Sequence, residues 1–325
     1  MVYTQTSTPA VQWQAPPVVA ELQALFARLD DQRLLTALAG PPHRGPKGHP
    51  VRVLWHCFVA KYSLGLPSTD AMIRTLRNNP FIAQACGINS PDAIPHKSTF
   101  SLFFKKLASQ KVLPRLKDVS RALVRQQYAT LPGFGQRVAM DSTTLKAWSN
   151  GGKPRKADKE ASWSIKKGTQ GRKEFVYGWK LHLLVDCEYE LPIAANVTTG
   201  SVHDSQRATN LLREARFAYS CFKPKYLMAD QGYSGKHLNW VVKHQFKAIP
   251  IIQVNKGHKK LMAQLGKFQA MPEWKALYKQ RQAVERVFSR LKGQRSLNRI
   301  TVRKKMKVTA HCYLSLIAMQ ANSFA

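Results

Sequence analysis

Four polar side chains recur at helical spacing in a basic stretch near the carboxyl end of the chain. Tyr278, Arg281, Glu285 and Lys292 are separated by two, three and six residues. At about 100° of rotation per residue, an α-helix would place all four within an arc of roughly 60°. Residues 274–295 are therefore predicted to form one helix that presents a phenol, an acid and two cations on a single face.

Glu285 is unusual for its surroundings. Between residues 255 and 310 only Glu273 and Glu285 are acidic, against sixteen lysines and arginines. Charges on an amphipathic helix are usually just its solvated face. An acid in so basic a segment suggests instead a metal ligand that works close to phosphates.

Two aspartates upstream each end a run of residues typical of a buried strand. Asp141 follows RVAM at 137–140, and Asp230 follows KYLMA at 225–229. An aspartate that ends a strand can simply begin a turn or cap a helix, and each of these two residues alone fits that role equally well. The other possibility is that both carboxylates lie at one edge of a sheet.

The elements that would position these residues follow in a recognisable order. Three β-rich runs come first, then a helix, a strand, a second helix, a fifth strand and the basic helix. This order predicts an RNase H-like α/β fold, a mixed five-stranded sheet with flanking helices. Asp204 or Ser205 is the expected N-cap of the first of these helices, and His203 is expected to support the loop before it. The five strand sequences are RVAMDSTTL, FVYGWKLHLLVD, ELPIAANVTTG, KYLMAD and KAIPIIQV.

The connection between the first two of these strands, residues 146–174, is long and rich in lysine and arginine. It is predicted not to form a compact element, and a connection of this length is usually functional or mobile. Its cations could follow a DNA backbone, or they could belong to a solvated loop.

Residues 18–130 are predicted to form an all-helical N-terminal domain, and residues 131–325 the catalytic domain with basic C-terminal helices. Residues 1–17 are polar, contain proline and are expected to be disordered. The segment STFSLFFKKLASQK at 98–111 is compatible with a DNA-binding helix-turn-helix and, equally, with a helical bundle that exposes lysines. Helices are predicted at 18–39, 50–64, 68–78 and 99–129, with Ser68 or Thr69 capping the third and Pro114 breaking the last.

The composition narrows the class of partner. The 325 residues carry 51 lysines and arginines against 18 acids, a formal net charge of +33. Such a charge indicates a polyanionic partner, of which nucleic acid is the first candidate. Charge alone does not distinguish DNA from RNA, or either of them from an anionic membrane.

Five widely spaced cysteines indicate neither a disulfide framework nor a zinc site and fit a reducing cytoplasm. The longest apolar run, LSLIAMQ at 314–320, is too short to span a bilayer.

The spacing of Tyr278, Arg281, Glu285 and Lys292 resembles the Tyr-Arg-Glu-Lys signature of bacterial insertion-sequence transposases with a DDE catalytic domain, the IS4 and IS5 group. The resemblance covers about residues 137–300, and the N-terminal part is similar to the helical domain of IS5 and IS1182-like members. It implies a DNA transposase that binds terminal inverted repeats in double-stranded DNA, cleaves the element ends and transfers their 3′ ends to target DNA, acting as a homodimer at least.

The same resemblance implies the roles of individual residues. Asp141, Asp230 and Glu285 would be the catalytic carboxylates that hold two Mg²⁺ ions, with Mn²⁺ able to substitute because it accepts the same oxygen ligands. His203 and Asp204 match a motif of the group but are placed outside the metal site. The remaining three signature residues would contact DNA: Tyr278, Arg281 and Lys292.

Two other functions remain open at this stage. One is a catalytically inactive, domesticated descendant that only binds DNA, which the three intact carboxylates argue against. The other is an RNase H-like nuclease without strand transfer, which the residues cannot distinguish from a transposase. A basic RNA-binding structural protein fits less well, because it would not need the acid within the basic helix.

Overall fold

A mixed sheet forms the centre of the carboxyl-terminal part of the chain in this computed structural model, which describes residues 14–40, 48–152, 157–167, 172–254 and 259–324. Within those ranges the sheet has six strands. They are β1 (Arg137–Lys146), β2 (Ser162–Lys167), β3 (Lys173–Asp186), β4 (Pro192–Thr199), β5 (Tyr226–Ala229) and β6 (Ile249–Ile252).

β1 is the central strand. It pairs antiparallel with β3 on one side and parallel with β5 on the other, and β6 continues the parallel side. β2 and β4 both pair antiparallel with the outer edge of β3, one after the other along its length. This arrangement confirms the predicted RNase H-like α/β fold.

The predicted strand count of five is wrong, because β2 lies inside the connection that was expected to have no compact element. The structure pairs Trp163 with Tyr177 and Ile165 with Phe175 on one face of the β2–β3 hairpin. Aromatic and β-branched cross-strand pairs of this kind stabilise a sheet locally. The cations around them had hidden the strand in the sequence.

Seven helices precede the sheet within the described residues. The helix predicted over 18–39 is two helices, because Asp31 lies in the break and its Oδ2 accepts a 2.7 Å hydrogen bond from Trp55 Nε1. Pro17 begins the first of them, and most of the segment predicted to be disordered, residues 1–13, lies outside the described residues. The seven are α1 (Pro17–Ala27), α2 (Gln32–Ala39), α3 (Val51–Ser63), α4 (Thr69–Asn78), α5 (Pro80–Ala85), α6 (Lys97–Leu107) and α7 (Leu113–Thr130).

Two local predictions for these helices had opposite outcomes. Ser68 caps α4, since its Oγ accepts a 3.0 Å hydrogen bond from the Ala71 N–H, as predicted. Pro114 does not break a helix but lies in the first turn of α7, after a break at residues 108–112. Proline is well tolerated there because the first N–H groups of a helix have no intrahelical acceptor.

In the described part of the chain six further α-helices surround the sheet: α8 (Ser205–Ala218), α9 (Lys236–Trp240), α10 (Lys259–Ala270), α11 (Pro272–Lys279), α12 (Gln282–Gln294) and α13 (Lys305–Ala321). The single helix predicted over 274–295 is therefore wrong, since α11 ends and α12 begins within it. Hydrogen bonds from Arg281 N–H to the Tyr278 carbonyl and from Val284 N–H to the Arg281 carbonyl span only three residues. This tighter winding separates the two helices. An apolar stripe on α12 packs into the core, since Val284, Phe288 and Leu291 are buried.

α13 joins the helical region to the sheet. It is buried from Val308 to Ala321 and packs against α3, α7 and β4, so one continuous core includes the N-terminal helices and one face of the sheet. α8 and α9 pack on the other face. The lysines and arginines of this end of the chain therefore precede the buried part of α13.

No helix in the described part of the chain combines the length and hydrophobicity that a membrane crossing requires.

Candidate active site

The two predicted aspartates meet at the edge of the sheet. β1 and β5 run parallel with Arg137 opposite Tyr226 and Ala139 opposite Met228. Continuing this register by two residues brings Asp141 beside Asp230, just past the carboxyl end of β5. Asp230 then begins a short turn in which its Oδ1 accepts a 2.8 Å hydrogen bond from the Gly232 N–H.

The surroundings of Asp141 disfavour the charged form of its carboxyl. Burial raises the pKa of its carboxyl to about 7, and the negative charges of Asp230 and Asp204 act in the same direction. A hydrogen bond of 2.7 Å from the Ser142 N–H and the positive charge of Arg281 only partly oppose this shift. A bound cation would favour the charged form of the Asp141 carboxyl.

Glu285 faces this edge from α12, with Arg281 between it and the sheet. Arg281 Nη2 donates a 2.6 Å hydrogen bond to Glu285 Oε1, and its Nη1 lies 3.6 Å from Asp141 Oδ2. Burial disfavours the guanidinium charge, but the ion pair with Glu285 and the charge of Asp141 outweigh it and raise the pKa of Arg281. One guanidinium therefore links two of the three predicted carboxylates.

Lys292 and Tyr278 complete the predicted set from different helices. Lys292 Nζ donates a 2.6 Å hydrogen bond to Thr143 Oγ1 on β1, two residues beyond Asp141. Tyr278 lies on α11, where its hydroxyl donates to Gln253 Oε1 at 3.1 Å and its ring stacks on Trp274 at 4.9 Å. The prediction that all four signature residues share one helical face is thus wrong. Tyr278 still lies close to Arg281, whose guanidinium is 5.8 Å from the ring centre.

Asp204 contacts this region in a way the sequence did not predict. It occupies the N-cap position of α8, as predicted, but its side chain makes no capping hydrogen bond there. Its Oδ1 instead accepts hydrogen bonds from Ser142 Oγ at 2.8 Å and Lys180 Nζ at 3.0 Å, the latter strengthened by charge. His203 and Ser205 bond to each other within the exposed loop.

A signal for this network was present in the strand sequence WKLHLLVD. Lys180 and His182 are two residues apart, so they lie on the same face of a strand that is otherwise strongly apolar. Buried polar side chains on such a face need partners. The sequence alone could not show that Asp204 and Ser142 supply them.

The donor groups fit a divalent cation that prefers oxygen ligands. Asp141 and Asp230 offer neighbouring carboxylates. Burial, together with the negative charges of Asp230 and Asp204, raises the pKa of Asp141, and such a cation would favour its charged form. In the described ranges no three histidine, cysteine, aspartate or glutamate side chains lie close enough together to hold an ion. Glu285 is paired with Arg281, which also lies near Asp141.

The RNase H-like class of domain has a central strand with antiparallel strands on one side and parallel strands on the other. Here β1 is that strand, and Asp141 and Asp230 lie where the parallel pair β1 and β5 ends. Comparison with protein families then narrows the class. The model of the transposase DDE domain matches residues 132–320, and that of a second transposase domain, DUF772, matches residues 16–106. The chain therefore belongs to the DDE transposases of insertion sequences. No curated protein shows a significant match to it.

Proposed function

We propose that this chain is an enzyme that binds the terminal inverted repeats of a mobile element, cleaves DNA at the element ends and transfers the 3′ ends to target DNA. Membership of the DDE transposase family supports transposition as the process. The observation that carries the catalytic part is the sheet edge where Asp141 lies beside Asp230 and where Arg281 links Asp141 to Glu285 on α12.

Asp141, Asp230 and Glu285 are the proposed catalytic residues and metal ligands. Two Mg²⁺ ions, or Mn²⁺ in their place, would stabilise charge on the attacking and leaving oxygens of the phosphodiester when bound. Before DNA binds, Arg281 holds Glu285 through a direct ion pair. Phosphate oxygens compete with carboxylates for the same guanidinium fork, so DNA binding would release Glu285 toward Asp141 and Asp230.

The other signature residues are proposed to hold DNA beside these carboxylates. Lys292 lies against β1 near Asp141 and provides a point charge for a phosphate, while Arg281 provides a planar fork. Tyr278 offers a hydroxyl and the edge of a ring already stacked on Trp274. The net charge of +33 would add nonspecific backbone affinity. Two element ends must be brought together, so we propose a homodimer that acts on cytoplasmic, nucleoid-associated DNA.

The test is cleavage of end-labelled duplex DNA taken from both flanks of the gene, with Mg²⁺ or Mn²⁺. Glu285→Gln should bind this DNA but not nick it, because the amide cannot replace the carboxylate charge. The matched control is Glu273→Gln, which changes the other acid of the same basic stretch at an exposed position on α11. It should nick at the same defined position as the wild type.

The remaining outcomes separate the rival functions. Binding without cleavage by the wild type in either metal would favour a DNA-binding descendant. Cleavage at a defined end without joining to a second duplex would favour a nuclease that lacks strand transfer. Equal cleavage by wild type and Glu285→Gln would remove Glu285 from the catalytic set.

A further inference from the structure

A polar network lies directly behind the proposed catalytic edge. Successive side chains of a strand point to opposite faces of the sheet. Asp141 accordingly points toward Arg281 and α12, whereas Ser142 points toward Asp204 at the start of α8. The two neighbours are also joined directly, since the Ser142 N–H donates to Asp141 Oδ1 at 2.7 Å.

Asp204 is the centre of this network. Its Oδ1 accepts from Ser142 Oγ on β1 and from Lys180 Nζ on β3, and the lysine also donates to the Val202 carbonyl at 3.0 Å. The Lys180–Asp204 pair is largely shielded, with 16% and 30% of the side chains exposed. His182 Nδ1 lies 3.8 Å from the same Asp204 oxygen. One carboxylate therefore links two adjacent strands and the loop before α8.

The arrangement is not that expected of a helix cap. A capping aspartate would accept hydrogen bonds from the first N–H groups of α8, and Asp204 makes none of these bonds. Its carboxylate turns to β1 and β3 instead. Its Oδ1 is already occupied by a hydroxyl and an ammonium, on the face of β1 opposite the Asp141 carboxylate. It is thus suited to hold β1 in place rather than to bind the reacting groups.

We infer that Asp204 is a positioning residue for Asp141. It anchors Ser142, and the Ser142 N–H in turn orients the Asp141 carboxylate. Lys180 pairs with the Asp204 carboxylate and connects it to β3. The negative charge of Asp204 is therefore balanced although it lies close to Asp141. This inference rests on the proposed role of Asp141 as a metal ligand.

The experiment compares Asp204→Asn, Ser142→Ala and the double variant in the full-length protein. Mn²⁺ affinity is measured by titration calorimetry without DNA, and cleavage is measured in single turnovers. Loss of a residue that orients a metal ligand typically costs about 10–100-fold in metal affinity or activity. Asp204→Asn should weaken Mn²⁺ binding and cleavage by about 10-fold or more, and Ser142→Ala by a smaller factor. Because both act through one chain of contacts, the double variant should be no worse than Asp204→Asn.

Two matched controls accompany these variants. Ser205→Ala removes a hydroxyl that contacts only the exposed His203 loop, and Asp118→Asn removes an aspartate paired with Arg115 and Arg121 on α7. Both should retain wild-type Mn²⁺ affinity and cleavage. Thermal unfolding of every variant shows whether a loss of function reflects a loss of folded protein.

Several outcomes would overturn the inference. If Asp204→Asn lowers the melting temperature but leaves the Mn²⁺ affinity of the folded protein unchanged, Asp204 is only structural. If the effects of Asp204→Asn and Ser142→Ala multiply, the two residues act independently. In both cases a wild type that cleaves normally leaves the proposed function intact. A wild type that neither binds Mn²⁺ nor cleaves overturns the proposed function, and the inference with it.

Discussion

Two aspartates on paired strands of the same sheet have very different surroundings. Asp186 ends β3 and is fully buried, and its carboxylate accepts three backbone hydrogen bonds, from the N–H groups of Gly135, Glu188 and Tyr189 at 2.7–3.0 Å. Asp141, on the adjacent β1, receives one backbone hydrogen bond and lies beside other carboxylates.

We interpret the difference as that between a structural carboxylate and the proposed metal ligand. Burial raises the pKa of both groups. For Asp186 three backbone N–H groups oppose this shift, and the charge of Glu188, which acts with burial, is a smaller influence than any of them. For Asp141 the negative charges of Asp230 and Asp204 raise the pKa further, in the same direction as burial. One of the donors to Asp186, Gly135, has a φ of +78°, a conformation that favours glycine. Asp141 receives one such N–H hydrogen bond, and the proposed metal ions would favour its charged form.

The largest expected effect is on activity. Asp141→Asn should reduce single-turnover cleavage by at least about 10³-fold, or ~4 kcal/mol of barrier, because a neutral amide cannot help hold the metal ions that stabilise the transition state. The variant should remain folded, as judged by circular dichroism. Cleavage within about 10-fold of wild type would mean that Asp141 is as structural as Asp186.

The next effect is on stability as a function of pH. The folded protein holds the Asp141 proton up to about pH 7, whereas the unfolded chain releases it near 3.8, so this group destabilises the fold as pH rises between those values. Metal-free Asp141→Asn should therefore gain up to about 4 kcal/mol over wild type by pH 8, but not at pH 4. Denaturant unfolding with a chelator measures the difference. A difference that does not change with pH would contradict the raised pKa.

The same experiment with metal sharpens the comparison. Mg²⁺ is expected to bind the ionised carboxylates of the folded protein, so it should stabilise the wild type at pH 8. The difference in free energy of unfolding between wild type and Asp141→Asn should then become smaller. Asp186 has no such ligand to gain. The Mg²⁺-dependent increase in melting temperature should therefore be lost in Asp141→Asn but kept in Asp186→Ala. If the increase survives in Asp141→Asn, the ion is bound elsewhere.

Replacing the other aspartate should affect stability instead of catalysis. Asp186→Ala leaves three N–H groups without their acceptor in a buried loop, and should lower the free energy of unfolding by about 3 kcal/mol. Cleavage per folded molecule should stay at the wild-type level. Chemical denaturation and active-site titration measure the two quantities. A stable but inactive variant would show that the two aspartates are not distinct in role.

The smallest effect is expected from Arg281, the cation that partly neutralises Asp141. Arg281→Gln should weaken DNA binding a few-fold and reduce the slope of log affinity against log salt by about 1, the signature of one lost phosphate contact. Arg216→Gln is the matched control, since Arg216 lies on α8 and donates to the Gln245 carbonyl. Titrations at several salt concentrations test this. Equal slopes for wild type and Arg281→Gln would restrict Arg281 to its ion pairs within the protein.

Much of the fold could be predicted because its strands carry strong local signals. The runs that became β1, β3 and β5 are dominated by apolar and β-branched residues, and their lengths and order were sufficient to predict an RNase H-like sheet. Where a local signal was ambiguous the prediction failed. The cations of residues 146–174 concealed β2, and helical periodicity ran through the break between α11 and α12, because a tighter turn does not interrupt the apolar stripe.

The sequence by itself determined which residue types were available for phosphodiester chemistry: two aspartates that follow strands, one acid in a basic helix and the cations around it. Only the tertiary structure decided how they meet. The parallel register of β1 and β5 places Asp141 beside Asp230, and the packing of α12 on the sheet turns Arg281 toward both Asp141 and Glu285. The link from Asp204 to Ser142 spans 62 positions. Spacing along a helix or strand reveals neighbours a few residues apart, whereas contacts between elements depend on how their faces pack.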